Sequence, residues 1–460
     1  MASSPARALL PLSAALLLTA CSEPTPREVT PWTKSFATNG SASMMGMAVD
    51  GFTGGVALTG VYSGTIDFGA GPQKSAASSD LFLVEVDETG SPLWGGHTGI
   101  AGYQGQAGLG VAPNGDVLTA GTFVNAVGFG GPPLKATGQS TYLARVDPSG
   151  ARLWDMVLGS VSGSVTCSSL AVDHQGNVIV TGGLVGEATI GGAKLASPGQ
   201  AVFVAKYDSA GKPIFGEVFS GSGHTAYAIG VDAFDDIVIF GRNSGDLYFG
   251  DQSFFASNNV DGFVAKLDSE GKPLWIQIVT DEGGYIQPLG LAVGAAGEVA
   301  ITGTYYAQIR LGGETITGNQ NTSMFVARLS TSGEPLWLRG TTSTNYGTVE
   351  PSSIALGAGG AIYLTGDYSG SADLGTGELP YPQSRSAFLA ELDSDGTTRT
   401  VKTFDTSTTS FSSGAAVAWD PAGGLLVSGS FFGDLSINGT SLHNATGGRS
   451  LFLSRFTTPL

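Results

Sequence analysis

The sequence predicts an all-β fold, a seven-bladed β-propeller closed by pairing of its N-terminal and C-terminal strands, and three observations lead to it. Two short motifs each recur seven times, at intervals of about 60 residues. Both motifs alternate apolar and polar residues with the period of two that is typical of strands. The last copy of the repeat also lacks its final strand, and a matching segment occurs at residues 31–36.

The first motif is an aromatic-rich strand. It occurs at residues 81–87 (LFLVEVD), 141–147 (TYLARVD), 202–208 (VFVAKYD), 262–268 (GFVAKLD), 324–330 (MFVARLS), 387–393 (AFLAELD) and 451–457 (LFLSRFT). The aromatic residue and the last apolar residue share one face of this strand, and a charged residue lies on the other. Because the sign of that charge varies between copies, we expect a solvent-exposed position: Glu85, Arg145, Lys206, Lys266, Arg328, Glu391 and Arg455.

The second motif is an apolar strand that ends in glycine, at Gly60, Gly121, Gly182, Gly241, Gly303, Gly366 and Gly429. Turns such as DETG, DPSG and DSEG follow the aromatic strand in most copies, because aspartate bonds the next backbone amides and glycine adopts the left-handed conformation. DSDG, at 393–396, is the same turn rather than a calcium loop, since the downstream glutamate is missing. A unit of about four short strands cannot bury both its faces alone, so seven units are expected to stack in a ring.

The closure of this ring is predicted from its ends. Six copies complete their last hairpin with a strand of their own, most clearly as PLW at 92–94, 273–275 and 335–337. The seventh, at 451–457, has only the segment PWTKSF, at 31–36, as a partner. A ring sealed in this way leaves no long sheet edge open to other chains.

The N-terminal segment resembles a bacterial lipoprotein signal peptide. One positive residue (Arg7) precedes an apolar run from Ala8 to Leu18, which is too short to span a bilayer, and then the sequence LTAC ends at Cys21. The resemblance implies that Cys21 is lipidated and anchors the chain to the bacterial cell envelope. The expected organisation is a signal peptide at 1–21, a Pro-rich tether at 22–31 and the propeller at 32–460. Ser22 resembles the residues that permit sorting to the outer membrane or cell surface.

The repeat itself resembles the SBBP β-propeller repeat of bacterial secreted and surface proteins. The best matches are LAVDHQGNVIVTGG at 170–183 and DGFVAKLDSEGKPLW at 261–275. The resemblance covers essentially all of residues 32–460. It implies the fold and an extracytoplasmic setting, and it implies no particular activity.

Several classes of function lack their usual signals. The formal net charge is −17 and no basic run occurs outside the leader, so nucleic-acid binding is not expected. No zinc motif or G-x-S-x-G motif occurs, so we assign no metal, cofactor or catalytic residue. Cys167 is expected to be a core residue, and aspartates at the ends of the inner strands are expected to cap turns: Asp50, Asp173, Asp232 and Asp420. The four histidines are expected to be surface residues: His97, His174, His224 and His443.

The candidate binding residues are aromatics in the connections that precede inner strands: Tyr103, Tyr285, Tyr346 and Phe411. A ring of aromatic side chains at the channel mouth could stack on sugars or hold a peptide, or each could instead wedge between blades. The sequence favours a monomeric binding or scaffold module for an envelope protein or glycan. A hydrolase or lyase with a site in the central channel, and a passive surface-coat component, are the alternatives.

Overall fold

The computed structural model describes residues 27–460 apart from 70, 77–78, 98–103, 222, 256–259, 284, 319–320, 383, 405–409 and 445–446. These residues form seven antiparallel blades, each with four main strands, and further strands extend the sheets of blades 4 and 7. The inner strands of blades 1 to 7 are Ala42–Val49, Gln104–Val111, Ser160–Val172, Thr225–Val231, Ile286–Val293, Thr342–Leu356 and Phe411–Asp420. The second strands are Val56–Tyr62, Val117–Val127, Val178–Ile190, Ile237–Asn243, Val299–Tyr305, Ile362–Asp373 and Gly424–Ile437.

The third strands contain the aromatic-rich motif. They are Asp80–Val86, Leu134–Val146, Ala193–Tyr207, Asp261–Leu267, Ser323–Leu329, Ser386–Leu392 and Ser450–Thr457. The outer strands of blades 1 to 6 are Pro92–His97, Arg152–Leu158, Pro213–Phe219, Pro273–Asp281, Pro335–Gly340 and Thr398–Thr403. Each inner strand contacts the inner strands of both neighbouring blades, so the blades form a closed ring around a central axis.

The outer strand of blade 7 comes from the other end of the chain. Trp32–Phe36 pairs antiparallel with Ser450–Thr457, with Trp32 opposite Arg455. Trp275 lies opposite Lys266 in blade 4 in the same way, so the N-terminal strand takes the same register as the PLW strands. The predicted seven-bladed propeller closed by its two ends is therefore confirmed.

The two faces of the ring differ in their connections. Short turns join inner to second strands and third to outer strands at one end of the blades, which we call the turn face. At the other end, the loop face, lie the links between second and third strands and from each outer strand to the next blade. Links on the loop face contain additional strands: Thr65–Asp67, Pro72–Lys74, Leu247–Phe249, Gln252–Phe254, Gln308–Leu311, Glu314–Thr317 and Thr440–Asn444. One 3₁₀ turn, Ala358–Gly360, lies on the turn face, between the inner and second strands of blade 6.

One of these additional strands covers a sheet edge. Gln308–Leu311 of blade 5 pairs with the outer strand Pro273–Asp281 of blade 4. Pairing of this kind removes an exposed edge that could otherwise recruit another chain. No helix in the described part of the chain is long and apolar enough to cross a membrane.

The charged position of the third strand is buried, so the expectation of solvent exposure is wrong. All seven side chains are at most 9% exposed: Glu85, Arg145, Lys206, Lys266, Arg328, Glu391 and Arg455. Both faces of a blade pack against neighbouring blades. Alternate side chains of the third strand therefore point towards one neighbouring blade or the other, and neither direction leads to solvent. Buried charges of this kind need partners.

The partners lie in turns of the same blade and of the next one. Lys206 Nζ lies 2.9 Å from a carboxylate oxygen of Asp173, in the inner turn of its own blade. The same ammonium donates to the carbonyl of Ser269, in the third-to-outer turn of blade 4, at 3.2 Å. The charged position is thus an electrostatic link between blades.

The outer strands make a second link. The indole Nε1 of Trp154 donates to the carbonyl of Ser209 in the next blade, at 3.0 Å. Trp32 of the closing strand does the same to the carbonyl of Glu88 in blade 1, at 2.7 Å. Tryptophan recurs in these strands because its ring covers the neighbouring turn while its N–H satisfies a turn carbonyl.

Candidate functional site in the central channel

A cavity of about 810 Å³ lies on the propeller axis and is lined by the inner strands of all seven blades. This volume is within the range of about 300–1,000 Å³ that is typical of small-molecule sites. The lining includes Tyr285, just before the inner strand of blade 5, and Thr304, next to the last residue of the second strand, and both positions are on the loop-face side. Asp367, from the second strand of blade 6, also lines it. The cavity therefore belongs to the loop-face half of the channel.

A β-bulge in every inner strand shapes this cavity. The extra residue of each bulge is Met45, Gln106, Ser168, Tyr227, Leu289, Ser352 or Ala415, in blade order. All of these except Gln106, whose side chain is outside the described part, line the cavity. Bulges bend a strand and re-aim its side chains. The six described side chains at the bulges thus line the cavity with a chemistry that differs from blade to blade.

The bulges also explain the glycine of the second sequence motif. In six blades that glycine pairs with the residue just before the bulge, as Gly182 does with Cys167. A Cβ atom at Gly182 would overlap the carbonyl oxygen of Thr166 in the adjacent inner strand. In the other five of these blades a Cβ atom on the glycine would overlap a carbonyl oxygen of the adjacent inner strand in the same way: Gly60, Gly241, Gly303, Gly366 and Gly429. Only glycine permits the inner strand to approach so closely.

An aromatic and cationic group forms one side of the channel. The guanidinium of Arg242 lies 5.6 Å from the ring centroids of both Tyr227 and Tyr285. It donates to the Tyr285 hydroxyl at 2.8 Å and to Gln287 Oε1 at 3.2 Å, and the hydroxyl in turn donates to Gln287. Cation–π contacts and these hydrogen bonds hold the Tyr285 ring in place while 44% of the residue stays exposed.

A second polar group stands in blade 6. Arg385 donates to both carboxylate oxygens of Glu350, at 2.9 and 2.7 Å, and to Asp367 Oδ1 at 2.7 Å. The other Asp367 oxygen accepts a hydrogen bond from Ser413 at 2.7 Å. Burial raises the pKa of Asp367, against the lowering effects of the Ser413 hydrogen bond and of Arg385. Together, these contacts give each of the four carboxylate oxygens of Glu350 and Asp367 a hydrogen bond.

The part of the lining that blade 1 contributes is apolar and adaptable. Met44, Met45 and Met47 all line the cavity. Methionine side chains are flexible and polarizable, so they accommodate ligands of irregular shape. The cavity thus offers tyrosine, glutamine and carboxylate groups from blades 4 to 6, which Arg242 and Arg385 hold from behind, and a methionine surface from blade 1.

The four candidate aromatics have different positions. Tyr285 lines the cavity. Phe411 begins the inner strand of blade 7, and the guanidinium of Arg449 lies 4.5 Å from its ring centroid. Tyr346 lies within the inner strand of blade 6, with its side chain outside the described part, and Tyr103 lies outside the described residues. The role of these residues in binding stays a prediction.

Sequence reasoning missed Tyr227, Arg242 and Arg385. A signal was present for Arg242 and Asp367, because each directly follows the glycine of the second motif, where the other copies have Val, Thr, Gly or Ser. Tyr227 had no comparable signal, since a bulge is invisible in the repeat pattern. Arg385 lies just before a third strand, in a connection whose length varies between repeats.

The other candidate residues are structural. Cys167 is buried in a hydrophobic cluster, and burial raises the pKa of its thiol to about 12, so its prediction as a core residue is confirmed. The expectation of a surface position is wrong for His224, which is fully buried and 2.7 Å from the Asp246 carbonyl. Asp173 caps its turn as predicted, accepting bonds from the amides of Gln175 and Asn177. The described residues contain no group of three or more potential metal ligands.

Comparison with known proteins found similarity among solved structures alone. No protein-family model matches the chain, and no curated protein sequence matches it. Among solved structures, a streptogramin B lyase aligns over 92% of this chain and 97% of its own, at 10% identity and a TM-score of 0.45. An inactive virginiamycin B lyase from Staphylococcus aureus, with quinupristin, aligns over 92% and 99%, at 10% identity and a TM-score of 0.42. The Dos1 propeller aligns over 92% and 95%, with the same identity and TM-score.

Proposed function

We propose that this chain is a lipid-anchored β-propeller of the bacterial envelope that binds a glycan in its channel cavity. One observation carries the proposal: an exposed tyrosine, Tyr285, is fixed by Arg242 at the mouth of an open cavity of about 810 Å³. Aromatic faces stack on the apolar faces of sugars, and the glutamine and carboxylate oxygens of the lining can accept further hydrogen bonds from the hydroxyls around them, because each oxygen has two lone pairs. The resemblance of the repeat to SBBP propellers of surface proteins supports the same setting.

The carboxylates favour binding over catalysis. A glycosidase needs two carboxyl groups placed on either side of the scissile bond. Glu350 and Asp367 are instead held by Arg385 and Ser413 through all their oxygens. Such groups present a fixed, shaped surface, which suits recognition.

The position at which the N-terminal segment joins the propeller supports a particular orientation on the membrane. Arg27, the first described residue, forms ion pairs with Asp420 and with Glu88, and both carboxylates belong to the turn face. Cys21 precedes Arg27 by six residues, which can span at most about 20 Å. A lipid on Cys21 would therefore hold the turn face towards the membrane and leave the cavity on the loop face open to the surroundings.

The anchor is tested by the change Cys21→Ser. We expect the wild-type chain to incorporate radiolabelled palmitate in the producing cells and to partition with the membrane fraction. Cys21→Ser should lose both the label and the membrane association. A wild-type chain that carries no lipid would overturn the proposed anchor, whatever the cavity binds.

The glycan site is tested by Tyr285→Ala, with Tyr306→Ala as its control. Tyr306 is exposed to a similar extent, 46%, and does not line the cavity. Loss of a stacking aromatic costs about 1 kcal/mol, so we expect Tyr285→Ala to weaken binding roughly five- to tenfold. Tyr306→Ala should bind as the wild type does. The measurement is calorimetric titration of residues 22–460 with oligosaccharides released from the envelope of the producing organism.

Two outcomes would contradict the glycan proposal. One is the absence of binding by any envelope oligosaccharide, and the other is equal binding by the two variants. A cross-linked pull-down with the same protein would then separate a protein partner, captured from the envelope, from a passive coat that captures none. Product analysis in the titration samples would reveal turnover and indicate an enzyme.

A further inference from the structure

A second cavity, of about 690 Å³, lies on the turn face between blades 1 and 2. Four acidic side chains line it: Asp50, Glu85, Asp87 and Glu88. Its apolar lining includes Phe52 and Leu93. It is separate from the channel cavity, with which it shares no lining residue. No part of the glycan proposal uses it.

The corresponding place at five other blade junctions holds a cation of the chain itself. Arg145 Nε donates to Asp116 of its own blade at 2.7 Å, and its Nη1 donates to the Gly176 carbonyl of the next blade at 2.8 Å. Arg455 likewise bridges Asp420 and the Gly54 carbonyl of blade 1. Lysine or arginine fills the same position in blades 3, 4 and 5. Each of these cations pairs with a carboxylate of its own blade. Four of them also donate to a carbonyl of the next blade: Arg145, Lys206, Arg328 and Arg455.

Blade 6 has an acid at this position and compensates for it. Glu391 accepts hydrogen bonds from Arg399 at 3.1 Å and from the backbone amide of Leu460 at 2.8 Å. A cation from the outer strand thus replaces the missing one from the third strand. Compensation restores the local charge balance at the blade 6 junction.

Blade 1 has an acid at this position without such compensation. Glu85 is only 4% exposed, and one of its carboxylate oxygens accepts the indole N–H of Trp94 at 2.8 Å. No described residue donates a hydrogen bond to its other oxygen, Oε1, or forms an ion pair with it. Burial raises the pKa of Glu85, and the neighbouring carboxylate of Asp50 raises it further, against the Trp94 hydrogen bond.

Trp94 itself departs from the pattern of the other outer strands. The indoles of Trp154, Trp275 and Trp337 donate to turn carbonyls of the next blade. Trp94 donates instead to Glu85 within its own blade. Of the four acids in the cavity, Glu88 pairs with Arg27 at 3.8 Å, whereas no ion pair within the described residues involves Glu85 or Asp50. The blade 1 junction therefore has the carboxylates of the repeat, lacks a cation on Glu85, and contains a cavity between the two blades.

We propose that this cavity binds the guanidinium group of an alkylguanidinium ligand, in the place that an arginine side chain of the chain occupies at other junctions. Glu85 and Asp50 supply the negative charge, and the planar fork of a guanidinium suits paired carboxylate oxygens. Phe52, which is 86% exposed, and Leu93 flank the opening and would contact the alkyl stem. An arginine side chain of a partner protein and a free guanidino amine share this chemistry.

The test is calorimetric titration of residues 22–460 with agmatine, using wild type, Glu85→Gln, Glu85→Arg and Glu270→Gln. Glu85→Gln keeps the shape of the side chain and removes its charge, so we expect at least tenfold weaker binding. Glu85→Arg places the missing cation inside the chain, so it should abolish binding and raise the melting temperature. Glu270→Gln removes one charge from an exposed turn acid of blade 4 and should bind as the wild type does.

The result that would overturn the proposal is a wild type that fails to bind agmatine, or a Glu85→Gln variant that binds it equally well. A lower melting temperature for Glu85→Arg would also contradict it, since the arginine would then not fit the site. A parallel titration with the peptide Gly-Arg-Gly identifies the source: tighter binding than agmatine indicates a protein side chain, and weaker binding indicates a small guanidino amine.

Discussion

Replacement of Gly182 by alanine is expected to lower the free energy of unfolding by more than about 4 kcal/mol, or to prevent folding altogether. The added Cβ would overlap the carbonyl oxygen of Thr166, which belongs to the bulged inner strand of blade 3. That backbone cannot retreat, because the inner strand packs against the inner strands of blades 2 and 4. The cost exceeds the roughly 1–3 kcal/mol that is usual for overpacking, because the clash is with backbone rather than with a side chain that can rotate away.

The matched control is the adjacent residue. Gly183→Ala, in the same strand, would place its Cβ 3.0 Å from the Thr166 hydroxyl and 3.3 Å from the amide nitrogen of Gln200. Both contacts are with the ends of side chains, which can move, so we expect a change within about 1 kcal/mol. Urea denaturation followed by tryptophan fluorescence compares the two variants. Equal stability of Gly182→Ala and Gly183→Ala would show that the close approach at the bulge does not explain the motif glycine.

The repeat made the fold predictable, whereas the burial of the charged residues and the positions of the bulges could not be predicted from it. Seven copies of two motifs set the number of blades, and the unpaired strand at 451–457 identified its partner at 31–36. The charge at Lys206 was read as exposed because strand alternation shows only that two faces differ. Its partner, Asp173, lies 33 residues earlier, and the sequence gives no indication that the two meet.

The candidate site was only partly predictable for a related reason. Tyr285 stood out as an aromatic residue in a Gly-rich connection. Its partners Tyr227 and Arg242 come from the inner and second strands of the preceding blade, and they meet it only after the blades pack. A propeller site is assembled from one or two residues per blade, so each residue taken alone carries little signal.

Removal of the N-terminal strand is the change expected to have the other large effect. A protein of residues 37–460 would lack Trp32–Phe36 and expose the third strand of blade 7 as a sheet edge. Phe36 is buried beside Leu451 and Leu453, and Trp32 covers the turn of blade 1. Loss of two such aromatics costs at least about 5 kcal/mol, and the free edge favours aggregation.

A protein of residues 30–460 is the control for this truncation. It lacks Arg27, with its ion pairs to Asp420 and Glu88, and keeps the closing strand. We expect it to unfold in urea close to the midpoint of the full-length protein and to elute at the same position as the full-length protein in size-exclusion chromatography. If it lost as much stability as residues 37–460, the ion pairs of Arg27 rather than the strand would close the ring.

Closure by this strand also predicts rescue in trans. A peptide of residues 27–38 should bind the truncated protein and restore its stability, because the register that pairs Trp32 with Arg455 needs no covalent connection. The same peptide with Trp32 and Phe36 changed to alanine should fail, since backbone pairing alone leaves both hydrophobic contacts unmade. Rescue by both peptides would mean that any strand suffices to cover the edge. Rescue by the native peptide alone would show that the two ends of the chain recognise each other through these side chains.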